Sequence, residues 1–369
     1  MTIIRNQMKY LIYILPFIFF SQLNAQFYSL EQGRDDFQRS RNALTQPVPT
    51  HIQTHFNIAI NEIDQMLKGE KPLSFKRAVY LVENAYYEGK ISWKEYNDEI
   101  LSIKPILNKM IDDRNLRQYK TAGNWAVFTY MSDSIPENDF KPYQYDFENF
   151  MSDSDKESYM VSRLLKTRKG NCRALPYFYK ILADEVGVEA FIAIVPMHCY
   201  VKHRDEQGNW WNLEMTTGSF SRSSFIMETF NVSETAIKSG LFMKALSDTE
   251  SVAYCIYDLL SYYEDKTGRY SDDFIKKCYE IGLQYYPNSQ LQVSKANDLQ
   301  FRLSSKIIEK GLKGYSDIVN YPELMNEFEA MNSTFKYLSE IGYTTMKNED
   351  YEKMVHEVKN KQTKLNSEK

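Results

Sequence analysis

The chain has 369 residues, of which 43% are hydrophobic, 25% charged and 14% aromatic, a balance that suits a packed globular protein and excludes a largely disordered one. A mean hydropathy of −0.52 excludes a polytopic membrane protein. The formal net charge of −4 argues against a broad nucleic-acid-binding face, and only 14 glycines and 11 prolines favour helices over a many-turned sandwich or a Gly-rich dinucleotide fold.

Residues 1–25 read as a secretory signal. Arg5 and Lys9 supply the positive start, residues 11–20 the apolar stretch, and Leu23-Asn24-Ala25 a small-residue cleavage site before Gln26. The apolar stretch is about ten residues, half the ~20 a helix needs to cross a bilayer. A retained N-terminal anchor is the alternative. No Cys stands near the cleavage site, so a lipoprotein anchor is not expected. Without this segment the net charge is −6. The expected product is exported, periplasmic or secreted, with no membrane span.

Residues 26–150 form an N-terminal segment in which 51–135 read as helical. Phe56, Ile58, Ile60, Ile63 and Leu67 give the first stripe. Ser74 caps a second helix carrying Phe75, Val79, Leu81 and Ala85, and Ser92 caps a third carrying Tyr96, Ile100 and Ile103 before Pro105. Residues 133–150 are polar, Pro-containing and aromatic, an ordered loop that buries its aromatics. A helix is expected from Ser152–Ser154 through Met160 and Leu164.

Residues 151–247 differ in style. Leu175, Phe178, Leu182 and Val186 give a helix from Cys172 that Gly187 ends. The apolar run 190–196 reads as a buried strand. Residues 198–203 and 210–215 alternate, with a turn at 205–209 between them, as in an antiparallel hairpin. From 248 to 369 the pattern is helical again, over 249–265, 271–286, 288–309, 322–341 and 348–361, with a frayed tail from 357. Tyr279, Gly282 and Pro287 match the end of a tetratricopeptide unit; a plain array of helical hairpins is the alternative. The fold class is therefore α+β.

The chemistry sits in three short stretches: Lys169-Gly170-Asn171-Cys172-Arg173, Pro196-Met197-His198, and Trp211-Asn212-Leu213-Glu214-Met215-Thr216. A Cys opening a helix feels unpaired backbone N–H groups and the positive helix end, both of which favour thiolate. Gly170 permits close backbone approach just before it. A His on a neighbouring strand takes and returns the proton, and a carboxylate on the next strand orients the imidazole. Strand alternation puts His198 and Cys199 on opposite faces, which disfavours a Cys172–Cys199 disulfide, and puts Asn212 and Glu214 on one face. The backbone N–H of Cys172 is the one oxyanion donor the sequence suggests.

This constellation resembles the transglutaminase-like (papain-like) superfamily. The region 124–217 more closely resembles bacterial members that append tetratricopeptide-type helices, through residues 143–147, Leu164-Leu165, Gly170-Asn171-Cys172, Leu175-Pro176 and Asn212-x-Glu214-x-Thr216. The resemblance implies Cys172 as nucleophile, His198 as general base and acid, and Glu214 where Asp is usual, one methylene longer. It also implies a small α+β core over 151–247 and a peptide or protein substrate, in hydrolysis, deamidation or amide cross-linking. Asn171, Asn212 and Trp211 are candidates to line the substrate cleft. No cofactor or metal is called for. The alternative function is a non-catalytic binding or assembly module, with a protein partner on the C-terminal helices.

Other features carry less. Cys255 and Cys278 are either buried thiols or one inter-helix bridge. His51-x-x-x-His55 has zinc-like spacing but no third ligand. His203 is expected to face solvent. Asn231-Val232-Ser233 is a glycosylation sequon by pattern, and the basic run 166–173 either lowers the thiol's pKa or is a solvated helix end.

Overall fold

The computed structural model describes residues 47–151 and 156–367; the signal-like segment and Ser152–Ser154 lie outside them. Four helices come first: α1 (Thr50–Leu67), α2 (Phe75–Tyr86), α3 (Trp93–Asp113) and α4 (Ala122–Ser132). Both serine caps form: Ser74 Oγ accepts from Arg77 N at 3.2 Å and Ser92 Oγ from Glu95 N at 3.3 Å. The third helix does not stop before Pro105 but runs through it to Asp113. Ile100, Ile103, Leu107 and Met110 are buried on both sides of the proline. Burying each gains about 1.5–3 kcal/mol, more in total than the ~3 kcal/mol an interior proline costs.

The loop after α4 is ordered, with Tyr143, Tyr145 and Phe150 buried. Its strand β1 (Gln144–Tyr145) pairs in parallel with β2 (Lys169–Gly170), just before the Cys172 turn. Helix α5 covers only Val161–Thr167; Met160, expected inside a helix, is extended. The buried carboxylate of Glu83 on α2 fixes that start, accepting from Val161 N at 2.7 Å and Ser162 N at 2.8 Å. Helix α6 (Ala174–Val186) follows and ends at Gly187 in the left-handed region.

Strands β3 (Phe191–Val195), β4 (His198–Arg204), β5 (Trp210–Glu214) and β6 (Ser219–Ser221) form an antiparallel meander in that order. The free edge of β3 is covered, because Ile194 and Ile192 carbonyls accept from Met243 N and Leu246 N, both at 2.9 Å. The sheet packs on α6. His203, expected in solvent, is 7% exposed. It shares the helix-facing side with Cys199 and Val201 and meets Phe220 edge-on at 5.9 Å.

Short helices α7 (Ser223–Thr229) and α8 (Glu234–Lys238) lead to α9 (Asp248–Thr267), α10 (Asp273–Tyr285), α11 (Leu291–Glu309), α12 (Pro322–Glu340) and α13 (Asn348–Ser367). Ser247 and Glu250 form a reciprocal capping box at α9. Gly282 lets α10 and α11 close up: a Cβ there would lie 2.3 Å from Leu291 Cδ1. Helix α9 packs on both α1 and α2, so N- and C-terminal helices share one hydrophobic core from Ile52 to Val355, with a smaller cluster between α11 and α12. All four cysteines are free, so no Cys255–Cys278 bridge exists. The tail expected to fray from 357 continues as helix to Ser367. Among the described residues no helix is long and apolar enough to cross a membrane.

Candidate active site

The position of Cys172 is set by its neighbours. Gly170 passes so close to α5 and α6 that a Cβ would meet Ala174 Cβ at 2.9 Å and Leu164 Cδ1 at 3.1 Å. Asn171 is fully buried. Its Oδ1 accepts from Arg173 N at 3.0 Å and its Nδ2 donates to the Phe150 carbonyl at 3.3 Å. Asn171 thus pins the chain on both sides of Cys172 and sits behind the thiol, outside the cavity in front of it. Cys172 precedes α6, with Arg173 as the N-cap, and is 4% exposed.

His198 opens β4 after a two-residue turn, Pro196-Met197, that pairs it with Val195. Glu214 ends β5 on the same face. The two meet: His198 Nε2 and Glu214 Oε2 are 2.7 Å apart. The extra methylene of Glu therefore does not weaken the orienting bond; it reaches from the strand end. Phe230, just beyond α7, stacks on the imidazole. Asn212 lies on this face too, but donates to the Ser221 carbonyl at 3.0 Å and Ser223 Oγ at 3.1 Å. Trp211 is not brought to the site: it points from the other face, 46% exposed, with Nε1 donating to Asp205 Oδ2 at 3.0 Å. In a strand only alternate residues share a face, and Trp211 goes with Leu213.

With Nε2 held by Glu214, Nδ1 is the imidazole nitrogen left for the thiol. It is buried and makes no hydrogen bond of ordinary geometry, yet the two groups are close enough for each to set the other's charge. Burial pushes the thiol up, but contact with His198 and its charge, then Tyr351 and Arg173, outweigh burial and hold Cys172 below the usual thiol range. Burial pushes the imidazole down, but the charge of Glu214 and the contact with Cys172 outweigh it and hold His198 well above the usual range. The pair therefore favours thiolate and imidazolium.

A cavity of about 260 Å³ opens in front of the thiol. Met197 and His198 form one wall, Tyr254, Tyr257 and Tyr262 of α9 another, and residues 343–346 with Tyr351 a third. Arg173 anchors the α9 wall through an ion pair with Asp258, which also accepts from Tyr177 Oη at 2.8 Å. Its guanidinium lies 5.5 Å from the Tyr254 ring and 5.9 Å from that of Tyr257. Of the basic run 166–173, Arg173 is the member that acts on the thiol.

The arrangement adds two groups that sequence reasoning missed. Tyr351 of α13 donates from Oη to Cys172 Sγ at 3.3 Å, and the Met197 carbonyl faces the same sulfur at 3.8 Å. Tyr351 is 179 residues from Cys172, on a helix whose other early residues are polar, so its one signal is an isolated buried aromatic. Among the described residues no cluster of three His, Cys, Asp or Glu is placed to hold a metal; His51 instead faces Glu88 at 3.7 Å. The chain matches no family model, no curated protein and no solved structure.

Proposed function

We propose that the protein is an exported, transglutaminase-like thiol enzyme that performs acyl transfer or hydrolysis on peptide or protein amides. One observation carries the reading: the 2.7 Å bond between His198 Nε2 and Glu214 Oε2, which leaves Nδ1 for the Cys172 thiol. The Cys172 thiolate attacks the amide carbonyl, and the C=O electron pair moves to oxygen. On collapse the C–N bond breaks and His198 gives its proton to the departing nitrogen. The thioester then passes its acyl group to water or an amine, whose proton His198 accepts. Glu214 stabilises the imidazolium without taking its proton. The close helix contact at Gly282 supports a tetratricopeptide-type reading of the C-terminal helices.

Incubating wild type and Cys172→Ala protein with a peptide library and reading masses tests this. Deamidation adds about one mass unit, hydrolysis gives fragments summing to about 18 above the parent, and cross-linking loses about 17. No difference between the two proteins would sink the enzyme reading. The second reading, a binding or assembly module, is favoured by the burial of the thiol under α13. It gains if Cys172→Ala leaves the biological phenotype intact.

A further inference from the structure

A thiol enzyme needs a donor for the oxyanion as well as a base, and the immediate neighbours of Cys172 supply few. The Arg173 amide is occupied by Asn171 Oδ1 at 3.0 Å. The Met197 carbonyl, 3.8 Å from the sulfur, is an acceptor and repels an oxyanion. The imidazole must face the leaving nitrogen. Besides the Cys172 backbone N–H, the side-chain donor that already reaches the reacting atom is Tyr351, whose hydroxyl donates to Sγ at 3.3 Å and has the Tyr145 hydroxyl behind it.

Resting on the thiol-enzyme reading, the geometry points to Tyr351 as a further catalytic residue, the side-chain donor to the oxyanion formed on the amide carbonyl. In the resting state the hydroxyl donates to the thiolate. When the sulfur bonds to the carbonyl carbon, the negative charge passes from sulfur to the carbonyl oxygen one bond further out. The hydroxyl follows by rotating about its own C–O bond, and no proton is transferred. Burial pushes the Tyr351 hydroxyl well above its usual range, so it stays a donor. Its position is built: Tyr351 is 2% exposed, Val355 one turn on is buried, and the Tyr351 ring sits 6.1 Å from that of Phe150. Phe150 is also the residue whose carbonyl holds Asn171 beside the nucleophile, so one residue couples α13 to the Cys172 turn.

The test compares two reagents on the full chain, wild type and Tyr351→Phe. Iodoacetamide alkylates a thiolate by displacement and forms no oxyanion; p-nitrophenyl acetate acylates it through one. Both are read by mass at Cys172, at a pH above the thiol's midpoint, with the melting temperature confirming that the ring still packs. The expected result is alkylation within about threefold of wild type and acylation slower by about 10- to 100-fold, the scale of losing one oxyanion donor. Equal slowing of both reactions would make Tyr351 a support for the thiolate alone and overturn the assignment. Acceleration of both would make it a plug and also overturn it. If wild-type Cys172 takes up neither reagent, the thiol-enzyme reading itself fails, and this assignment with it.

Discussion

His198 lies flat against Phe230, with ring centroids 4.8 Å apart and planes 12° from parallel. Glu214 holds the imidazole by one edge and Phe230 by its face, so together they leave the ring one orientation. Phe230→Ala should free the ring to turn and slow Cys172 alkylation at neutral pH by about tenfold or more, since small displacements in such sites are costly. It also empties buried volume, at about 3–5 kcal/mol. Phe230→Leu separates the two effects, with a smaller fall in denaturation midpoint but a similar loss of alkylation rate. Unchanged alkylation in both variants would show that stacking does not orient the ring.

The bond at 2.7 Å between His198 and Glu214 predicts different outcomes for two conservative changes. Glu214→Gln keeps the shape but removes the charge that raises the imidazole. The imidazole is then less basic and stabilises the thiolate less. The midpoint of Cys172 alkylation against pH should move up. Glu214→Asp keeps the charge but withdraws it by one methylene, so the shift should be smaller. A Glu214→Gln midpoint equal to wild type would remove Glu214 from the site.

Local signals in the sequence were enough to bring three distant residues together, because each position depends on its immediate neighbours. Gly170 and the helical stripe from Leu175 placed Cys172 before α6. Strand alternation put Glu214 and Asn212 on one face and Cys199 away from it. What local signals missed depends on packing. His203 was expected in solvent because alternation says which residues share a face, not whether that face is covered. Pro105 was expected to end α3 because the apolar stripe beyond it reads as a burial pattern only once its partner exists. Phe230 and Tyr351 reach the site through loops and a helix whose own residues carry no periodic signal pointing there.

The four cysteines should separate by reactivity. Cys172 lies below the usual thiol range, whereas burial pushes Cys199, Cys255 and Cys278 above it. A lowered thiol is ionised above its own depressed midpoint and loses labelling only as pH falls through it. The imidazolium partner, held above its usual range by Glu214 and the contact with Cys172, is retained at neutral pH. A brief iodoacetamide pulse near neutral pH should place one carbamidomethyl group, on Cys172, with the other three labelled only after denaturation. Peptide mapping checks this, and preferential labelling of any other cysteine would contradict the electrostatic picture.

Glu83 provides a stability test away from the chemistry. It is buried, and its two oxygens take the amides of Val161 and Ser162. Glu83→Ala leaves both amides without their partner and should cost about 2–4 kcal/mol in a denaturant titration. Burial raises the carboxyl from 4.5 to about 7, against the pull of those amides. Between these values the folded protein binds the proton more readily than the unfolded chain. This contribution is therefore full below pH 4.5 and falls as pH rises through about 7. Melting temperatures across that range should show the gap between wild type and Glu83→Ala narrowing with rising pH. A gap that widens would mean the amides hold Glu83 as a carboxylate.

Met197 tests the turn that delivers His198. Proline fixes the first turn position, and the second has φ +58°, a left-handed conformation that a glycine adopts freely and a methionine does not. The Met197 carbonyl nevertheless faces the thiol, and the residue is 38% exposed at the cavity wall. Met197→Gly and Met197→Ala both remove the side chain beyond Cβ and differ only in the Cβ itself, so the difference between them reads chiefly the backbone. In Met197→Ala the left-handed strain remains; in Met197→Gly it is relieved, offset in part by the greater freedom of the unfolded glycine chain. Glycine should be the more stable of the two by about 1 kcal/mol in denaturant midpoint. If alanine proves as stable as glycine, the turn does not hold the conformation that aims this carbonyl at Cys172.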